Sequence, residues 1–209
     1  MSEVKVLYSG APGLNTHVSP TNVYTAPAGK KVIIKSIGVN SVDPADQSFS
    51  IQLAGYAFAF RHAIKPNQTL ILPAAGLVLQ PGEVLAVGNS QGIYIRITGE
   101  IVDSNMLLLP DVIHRANGLT TSASGSRYTN STKDILVKSV AFCNKTNGPV
   151  SVSLYMGGIG IISAKIINGY DTLTIPFLDQ FLTKGENLDV WASAAGSIVY
   201  YATGIAVNT

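Results

Sequence analysis

The segment Val32-Ile33-Ile34-Lys35-Ser36-Ile37 recurs later in the chain as Ile135-Leu136-Val137-Lys138-Ser139-Val140. Tyr24-Thr25, which precedes the first copy, corresponds to Tyr128-Thr129 before the second. Four further segments repeat in the same order: residues 49–53 with 150–154, 69–73 with 172–176, 81–87 with 184–190, and 98–102 with 203–207. A colinear series of this kind predicts an internal duplication of one structural unit.

Each copy has the period of β-strands. Phe49, Ile51 and Leu53 alternate with Ser50 and Gln52, and residues 93–97 alternate in the same way. Successive strand residues point to opposite faces, so this pattern predicts half-buried strands. No segment of helical length has helical spacing of its apolar residues without an interrupting Gly or Pro. The sequence therefore predicts an all-β protein of two tandem antiparallel β-sandwich domains, jelly-roll-like and related by duplication.

The apolar phase changes at the same place in both copies. It flips across Lys35-Ser36 in the first copy and across Lys138-Ser139 in the second. This shared flip indicates a β-bulge or a strand that changes faces between two sheets. A strand buried on both sides is an equally good explanation at this stage.

The repeat defines the predicted domain boundaries. Copy one covers residues 22–103 and copy two covers residues 127–209. Residues 104–126 contain Asn117-Gly118 and a run of small polar residues, which is typical of a linker. Residues 1–21 have no recognised partner in the repeat, and their strand-like piece, residues 4–8, predicts an N-terminal arm that adds to a neighbouring subunit's sheet.

Two Asn-Gly pairs predict tight turns. Asn147-Gly148 and Asn168-Gly169 are strong hairpin signals, because both residue types tolerate the positive φ of a type I′ turn. Pro66-Asn67 occupies the place of the second pair in copy one.

Composition excludes several classes of protein. Charged residues are only 12% of the 209 residues, and the net charge of +2 is dispersed, which argues against a nucleic-acid partner or a membrane surface. Cys143 is the only cysteine, so no intrachain disulfide forms. Residues 1–10 lack the apolar core of a secretory signal, and we expect synthesis in a cytoplasm. The low charge suits a surface covered by partners, although an ordinary monomer can share it.

The residue types that carry metal or nucleophile chemistry lack the required spacing. His17, His62 and His114 have no metal-ligand spacing to another His, Cys or carboxylate. Cys143 ends a strand at the position of Asn40 in copy one, which predicts a packing or turn residue. The glycine cluster at residues 157–160 is followed by no predicted helix, so it indicates a bend or a close strand approach rather than a phosphate site.

Carboxylates and tyrosines are the remaining candidates. Glu83 and Glu186 each follow a Gly at the same address in the repeat, which predicts a role in the turn. The acidic residues near turns or on an outer strand face are predicted to be solvated: Asp43, Asp46, Asp171 and Asp189. The pair Tyr200-Tyr201 suggests a binding surface, but adjacent strand residues point to opposite faces, so at most one joins a patch. We predict no enzyme, with no catalytic, cofactor-binding or metal-binding residues and no cofactor.

Two stretches carry a resemblance to a known group. Residues 24–40 begin Tyr-Thr-Ala-Pro-Ala-Gly-Lys and continue into a strand with Ser36-Ile37-Gly38-Val39-Asn40, and residues 76–87 contain Pro81-Gly82-Glu83 before another strand. This pattern resembles tandem β-sandwich virion structural proteins of tailed bacteriophages. Copy two matches in its strands but has Asn130-Ser131-Thr132 at the entry and Lys184 in place of Pro81.

The resemblance implies a scaffold and no enzymatic activity. It implies a structural component of a bacteriophage particle, as a minor capsid-surface decoration or neck protein located in the virion. The implied partners are further copies in a homo-oligomer and other virion proteins of the capsid, neck or tail. The alternative is a tail-associated module that binds a host receptor or a host-surface glycan, and this alternative requires clustered exposed tyrosines.

Overall fold

The computed structural model describes residues 2–13, 16–74, 76–106, 109–122, 127–130, 132–176 and 178–207. All regular secondary structure in these ranges is β-strand, which confirms the predicted fold class. No helix in the described part has the length and apolar character needed to cross a membrane. The chain divides into two compact units, Met1–Met106 and Leu107–Thr209.

The first unit forms two antiparallel sheets. Sheet A has the strand order β1-β9-β3-β6, with β7 also paired to β3, and sheet B has the order β2-β8-β4-β5. The strands are β1 (Glu3–Gly10), β2 (Thr21–Thr25), β3 (Lys30–Ser41), β4 (Gln47–Leu53), β5 (Tyr56–Ile64), β6 (Thr69–Leu72), β7 (Val78–Leu79), β8 (Val84–Asn89) and β9 (Ile93–Asp103).

The second unit repeats this arrangement strand for strand. Sheet C has the order β10-β18-β12-β15, with β16 also paired to β12, and sheet D has the order β11-β17-β13-β14. The strands are β10 (Asp111–Asn117), β11 (Arg127–Thr129), β12 (Asp134–Asn144), β13 (Val150–Met156), β14 (Ile159–Ile167), β15 (Thr172–Ile175), β16 (Gln180–Leu182), β17 (Asn187–Ala192) and β18 (Ile198–Val207).

Each unit has the path of a jelly roll. In the first unit the chain passes between sheets A and B at nearly every connection, and the β4–β5 and β6–β7 connections stay within one sheet. The inward alternation buries Phe49, Ile51 and Leu53 of sheet B and Ile37 and Val39 of sheet A. The core of the second unit is built in the same way from sheets C and D. Burial of these alternating apolar faces is the main source of stability for such sandwiches.

The shared phase flip is a β-bulge in both units. Ile34 pairs with Gly99 and Ser36 with Thr98, which leaves Lys35 as the extra residue of β3. In β12 the register likewise shifts between Val137 and Ser139. The alternation therefore changes phase at Lys35 and at Lys138. Of the explanations left open by the sequence, the register supports the bulge.

The predicted N-terminal arm is wrong. Residues 1–21 contain β1, which pairs with β9 of its own unit, so it adds to its own sheet. The sequence comparison missed its repeat partner, because that partner is β10 inside the predicted linker of residues 104–126. Leu7 and Ile113 occupy the register shifts of β1 and β10, so even the bulges correspond.

The prediction that residues 104–126 are a linker is therefore wrong over much of its length. β10 (Asp111–Asn117) belongs to sheet C of the second unit. The unit boundary lies between Met106 and Leu107. The small polar run at residues 120–126 does precede β11, but residues 123–126 of that run lie outside the described residues.

One part of the predicted repeat alignment is displaced by two residues. The predicted equivalences of Ile37 with Val140 and Leu72 with Ile175 are confirmed, since Ile37 pairs with Leu72 and Val140 with Ile175. The predicted match of residues 49–53 with 150–154 is wrong, because residues 49–53 correspond to 152–156. Phe49 and Val152 pair with the last residues of β8 and β17. A shift of two keeps every side chain on its face, so periodicity alone did not reveal it.

The predicted type I′ hairpins are also wrong. Asn147-Gly148 and Asn168-Gly169 each join strands of different sheets, and none of these four residues has positive φ. At the second pair, Tyr170 takes the left-handed conformation (φ 57°), and Gly169 is needed because a Cβ there would clash with the backbone of Asn147. The two-residue hairpin turns with positive φ are Ala54-Gly55 and Gly157-Gly158.

Candidate functional site

Sheet A carries a shallow depression on its outer face. The register places Ser9, Arg96 and Gly38 in one cross-strand row, and Tyr94, Asn40 and Thr69 in the next. These side chains point outward because their neighbours along β3 and β9, such as Val39 and Ile95, are buried in the core. Gly38 contributes no side chain, and the resulting depression has a volume of about 280 Å³. We call this surface the Tyr94 depression.

The lining of the Tyr94 depression combines an aromatic ring with polar groups. Tyr94 is 53% exposed, and Arg96 next to it is also exposed. Asn40 and Thr69 lie close enough for a long hydrogen bond, with Thr69 Oγ1 3.5 Å from Asn40 Oδ1. Ile71 flanks the floor, since its Cδ1 lies 3.6 Å from the position that a Cβ on Gly38 would take. The arrangement can contact a small polar ligand, and its lining residues include no carboxylate.

The same rows in the second unit are filled with larger or more apolar side chains. Ala141 replaces Gly38, Cys143 replaces Asn40, Val199 replaces Tyr94 and Tyr201 replaces Arg96, and all four are buried. Arg115 corresponds to Ser9, and its guanidinium lies 4.6 Å from the centroid of the Tyr201 ring. The depression is therefore a feature of the first unit and is not a property of the repeated fold.

The predicted tyrosine pair does not form a surface. Tyr200 lies in the core of the second unit, where its ring packs 5.1 Å from the Phe142 ring, and full burial raises the pKa of its hydroxyl. Tyr201 points to the opposite face, as predicted for a neighbouring strand residue, but it too is buried. Neither ring is placed to contact a ligand.

A second aromatic cluster lies on the outer face of sheet D. The rings of Tyr155 and Trp191 stack with their centroids 4.7 Å apart, and Arg127 Nε donates to Asp189 Oδ1 at 2.6 Å beside them. Gly160 lies under the Tyr155 ring, with the ring carbon Cε1 3.3 Å from the position of a Cβ. These groups satisfy one another across neighbouring strands, as cross-strand pairs in sheets do. The cluster corrects the prediction that Asp189 is solvated, since its side chain is only 12% exposed.

The other predicted solvated carboxylates have local partners. Asp43 Oδ1 accepts a hydrogen bond from the backbone N–H of Ala45 at 2.9 Å. Asp46 forms an exposed ion pair with Lys65 at 2.6 Å. Asp171 accepts from the backbone N–H of Thr172 at 2.7 Å. These contacts shape turns and strand ends.

Glu83 and Glu186 hold equivalent turns. The side chain of Glu83 accepts a hydrogen bond from the backbone N–H of Gln80 at 2.7 Å, and that of Glu186 accepts from the N–H of Thr183 at 2.8 Å. Gly82 and Gly185 precede them with φ values of 81° and 91°, which an L side chain adopts only with strain. The predicted turn role of both glutamates is confirmed.

Each of the three histidines has structural surroundings. His62 packs against Phe49 with ring centroids 5.2 Å apart, and the carbonyl of His17 accepts a hydrogen bond from Ser50. His114 lies between Tyr128 and Tyr200, each 5.9 Å away, and burial lowers its pKa. Within the described ranges, no group of three His, Cys, Asp or Glu side chains converges in a way that could hold a metal ion.

Cys143 and the glycine cluster have structural surroundings. Cys143 is buried and forms no disulfide. It occupies the position of Asn40 as predicted, since Cys143 pairs with the first residue of β15 and Asn40 pairs with the first residue of β6. Gly157 and Gly158 form the β13–β14 turn with φ values of 54° and 83°, so the predicted bend is confirmed. A Cβ on Gly157 would lie 2.6 Å from Glu186 Oε1, so a side chain there would displace the Glu186 carboxylate.

The Tyr94 depression was missed by sequence reasoning although part of its signal was visible. The alternation of residues 93–97 places Tyr94 and Arg96 on one face of β9. The contributions of Ser9 and Thr69 depend on which strands flank β9 and β3 and in what register, and the period of a single strand does not contain that information.

Comparison with known proteins gives only distant similarity. No protein-family model matches the chain, and no curated protein sequence matches it. Solved structures to which it is similar include the major capsid protein of bacteriophage PM2 (9% identity, TM-score 0.33, covering 100% of this chain and 98% of that one). They also include HutD from Pseudomonas fluorescens SBW25 (9% identity, TM-score 0.28, covering 99% of this chain and 80% of that one). A third is a fucolectin from striped bass, Morone saxatilis (8% identity, TM-score 0.27, covering 98% of this chain and 97% of that one). Similarity at this level carries no functional information.

Proposed function

We propose that this protein is a structural component of a bacteriophage particle, as a minor capsid-surface decoration or neck protein. The observation that carries the proposal is the motif resemblance together with what those motifs do. The stretch at residues 24–40 forms the end of β2, the turn after it and most of β3, and Glu83 closes the turn before β8. A motif whose residues only build turns and strands indicates a scaffold.

The duplicated jelly roll supports the same proposal. Viral capsid and lectin domains use this architecture, because its two sheets offer broad faces and many loops for contacts. Glu83 and Glu186 are carboxylates that recur at the same position of both copies, and each accepts a hydrogen bond from a backbone N–H. The inference that the protein is not an enzyme rests on the sequence, in which no nucleophile, metal ligand set or acid pair has the required spacing.

The proposed partners are further copies of the chain and other virion proteins. Only 12% of the residues are charged, and natural sheets usually guard their edges with charge, proline or cover. β1 is an edge strand of sheet A, and it exposes Val4 and Val6. Cover by a neighbouring protein in the particle would protect this edge. We propose neither a nucleic-acid partner nor a membrane partner.

Particle fractionation tests the proposal. Phage particles from the source culture are purified by density gradient, and their proteins are identified by mass spectrometry after washing in high salt. We expect the chain to remain with intact particles at a constant ratio to the major capsid protein. Recovery only from the soluble lysate would overturn the proposal. Light scattering on the purified chain tests the oligomer separately, and a monomer at all concentrations would exclude self-assembly outside the particle.

The alternative function is a tail-associated module that binds a host receptor or a host-surface glycan. One observation favours it, namely the exposed aromatic ring of Tyr94 among polar side chains. Tyr94 is a single exposed tyrosine, and the cluster of exposed tyrosines that this alternative requires is not formed among the described residues. A virion protein can carry such a site, so the two functions are compatible.

A further inference from the structure

We propose that the Tyr94 depression is a binding site for a saccharide that bears a carboxylate, such as a uronic acid or a sialic acid. The proposal concerns a site on the first unit alone. It is independent of particle membership, because a chain that is absent from virions could still bind the sugar.

Charge selects an anionic ligand. The side chain of Arg96 has no ion pair and no hydrogen bond to any described residue, and neither Asp nor Glu lines the depression. A guanidinium presents its donors as a planar fork that matches a carboxylate in two parallel hydrogen bonds. An exposed and unpaired arginine at the rim of a depression is therefore complementary to a carboxylate.

The aromatic ring selects a saccharide over a bare anion. Tyr94 precedes Arg96 by two residues on the same face of β9, and its ring is 53% exposed. A tyrosine provides an apolar ring face and a hydroxyl within one rigid side chain, which suits the apolar face and the hydroxyl groups of a pyranose. Asn40, Thr69 and Ser9 supply further donors and acceptors around it.

The size of the depression limits the part of the ligand that it contacts to one or two sugar rings. Its volume of about 280 Å³ lies near the lower end of the range for small-molecule sites. Gly38 forms the floor, and a side chain there would occupy the space. Arg96 is the only cation in the lining, so the site lacks the row of cations that a nucleic-acid backbone requires.

The second unit provides an internal comparison. The equivalent positions keep the fold with Ala141, Cys143, Val199 and Tyr201, so the jelly roll does not require Gly38, Asn40, Tyr94 and Arg96. The polar and aromatic set is therefore specific to the first unit. A binding role explains why the first unit has polar and aromatic residues on a sheet face that, in the second unit, is formed by other residues.

The test is a titration of the purified full chain with 3′-sialyllactose and with trigalacturonate, followed by calorimetry and by NMR. Lactose is the neutral control and sodium acetate at equal ionic strength is the anion control. We expect saturable binding of at least one acidic saccharide, weaker binding of lactose and acetate, and loss of affinity as salt increases.

Variants locate the site. Arg96→Gln and Tyr94→Ala are each expected to weaken binding about tenfold or more. Arg96→Gln removes a charge-assisted hydrogen bond, and Tyr94→Ala removes the aromatic face. Tyr94→Phe retains the ring and should bind within about threefold of wild type, since the stacking face remains. Lys165→Gln, which removes an exposed cation from β14 of the second unit, is the matched control and should leave affinity unchanged.

Gly38→Val separates binding from stability. The Cβ position at Gly38 has ordinary van der Waals distances to its neighbours, and valine favours strands, so the variant should be at least as stable as wild type while it fills the depression. We expect binding to be lost without a fall in melting temperature. Absence of saturable binding to both acidic saccharides would overturn the proposal. Equal affinity for lactose or acetate, or unchanged affinity in Arg96→Gln, would also overturn it.

Discussion

The side chain of Leu7 occupies the space above Gly99. A Cβ on Gly99 would lie 2.7 Å from Leu7 Cδ1, a distance that folded proteins do not tolerate. Ile113 and Gly204 repeat this relationship in the second unit at 2.5 Å. In both units the first strand of the sheet pairs antiparallel with the last strand, and a large apolar side chain at its bulge packs onto the glycine of that last strand. This contact ties β1 and β10 to their own units.

Substitution of the glycine should destabilise the fold. Gly99→Ala forces the new methyl group against Leu7 and should lower the free energy of unfolding by about 1–3 kcal/mol, as overpacking does. Urea unfolding followed by circular dichroism measures the change. Gly148→Ala is the matched control, because nothing lies within 4 Å of its Cβ position and its φ is not positive, so its stability should stay within about 0.5 kcal/mol of wild type. Equal stability of the two variants would contradict the packing.

Truncation of Leu7 tests whether β1 belongs to its own unit. Leu7 is 6% exposed, so Leu7→Ala should lower the free energy of unfolding by about 2–4 kcal/mol. Val4→Ala on the same strand is the control, because Val4 is 72% exposed and its loss should cost little. Thermal unfolding monitored by calorimetry measures both. If β1 were an arm for a neighbouring subunit, Leu7→Ala would change the oligomeric mass and leave the unfolding of the monomer unchanged.

The turn glutamates should affect stability. Glu83→Gln and Glu186→Gln keep the shape but weaken a charge-assisted hydrogen bond to the backbone, so each should lower the free energy of unfolding by about 0.5–1.5 kcal/mol. Chemical denaturation measures this loss, and Glu3→Gln on the exposed part of β1 is the control. A robust hydrolytic activity that either substitution abolishes would contradict the structural role.

The free energy of unfolding should decrease as the pH is lowered, because His114 titrates. Burial between Tyr128 and Tyr200 lowers its pKa below the ordinary 6.5, so the unfolded chain binds the proton more tightly than the folded chain. This contribution to stability is fully present above pH 6.5 and is lost as the pH falls from 6.5 through the lowered folded pKa. Denaturation midpoints between pH 7.5 and about 5 measure the slope.

His114→Phe is the variant for this measurement. It keeps an aromatic ring beside Tyr128 and Tyr200 but removes the titrating group. Its midpoint should depend less on pH over this window than the wild-type midpoint. An identical slope in the two proteins would assign the pH dependence to other groups.

The sequence revealed the parts of the fold that local patterns encode. The colinear repeat predicted the duplication. The flip at Lys35 marked the place of the bulge but left it open against a strand buried on both sides, and the register between neighbouring strands decided for the bulge. β1 and β10 were missed as a pair because their sequences share little beyond Val6-Leu7 and Val112-Ile113. Their equivalence lies in pairing with β9 and β18, and pairing between distant strands is not contained in local periodicity.

The candidate site was harder to predict for the same reason. Tyr200 and Tyr201 drew attention because they are adjacent in sequence, yet both are buried. The residues that lie together at the Tyr94 depression come from β1, β3, β6 and β9, and their proximity depends on the tertiary register. The residue types alone did not indicate a site, because isolated Tyr and Arg residues on a strand are also common on solvated faces.

A cryo-electron microscopy map of the intact phage particle tests the central claim most directly. We predict density into which two jelly-roll units fit, joined near Met106–Leu107, with β1 in sheet A of its own unit and the particle's other proteins against its exposed surfaces. A map in which every ordered density is assigned to other proteins, from particles whose mass spectrum also lacks the chain, would contradict the claim that it is a structural component of the virion.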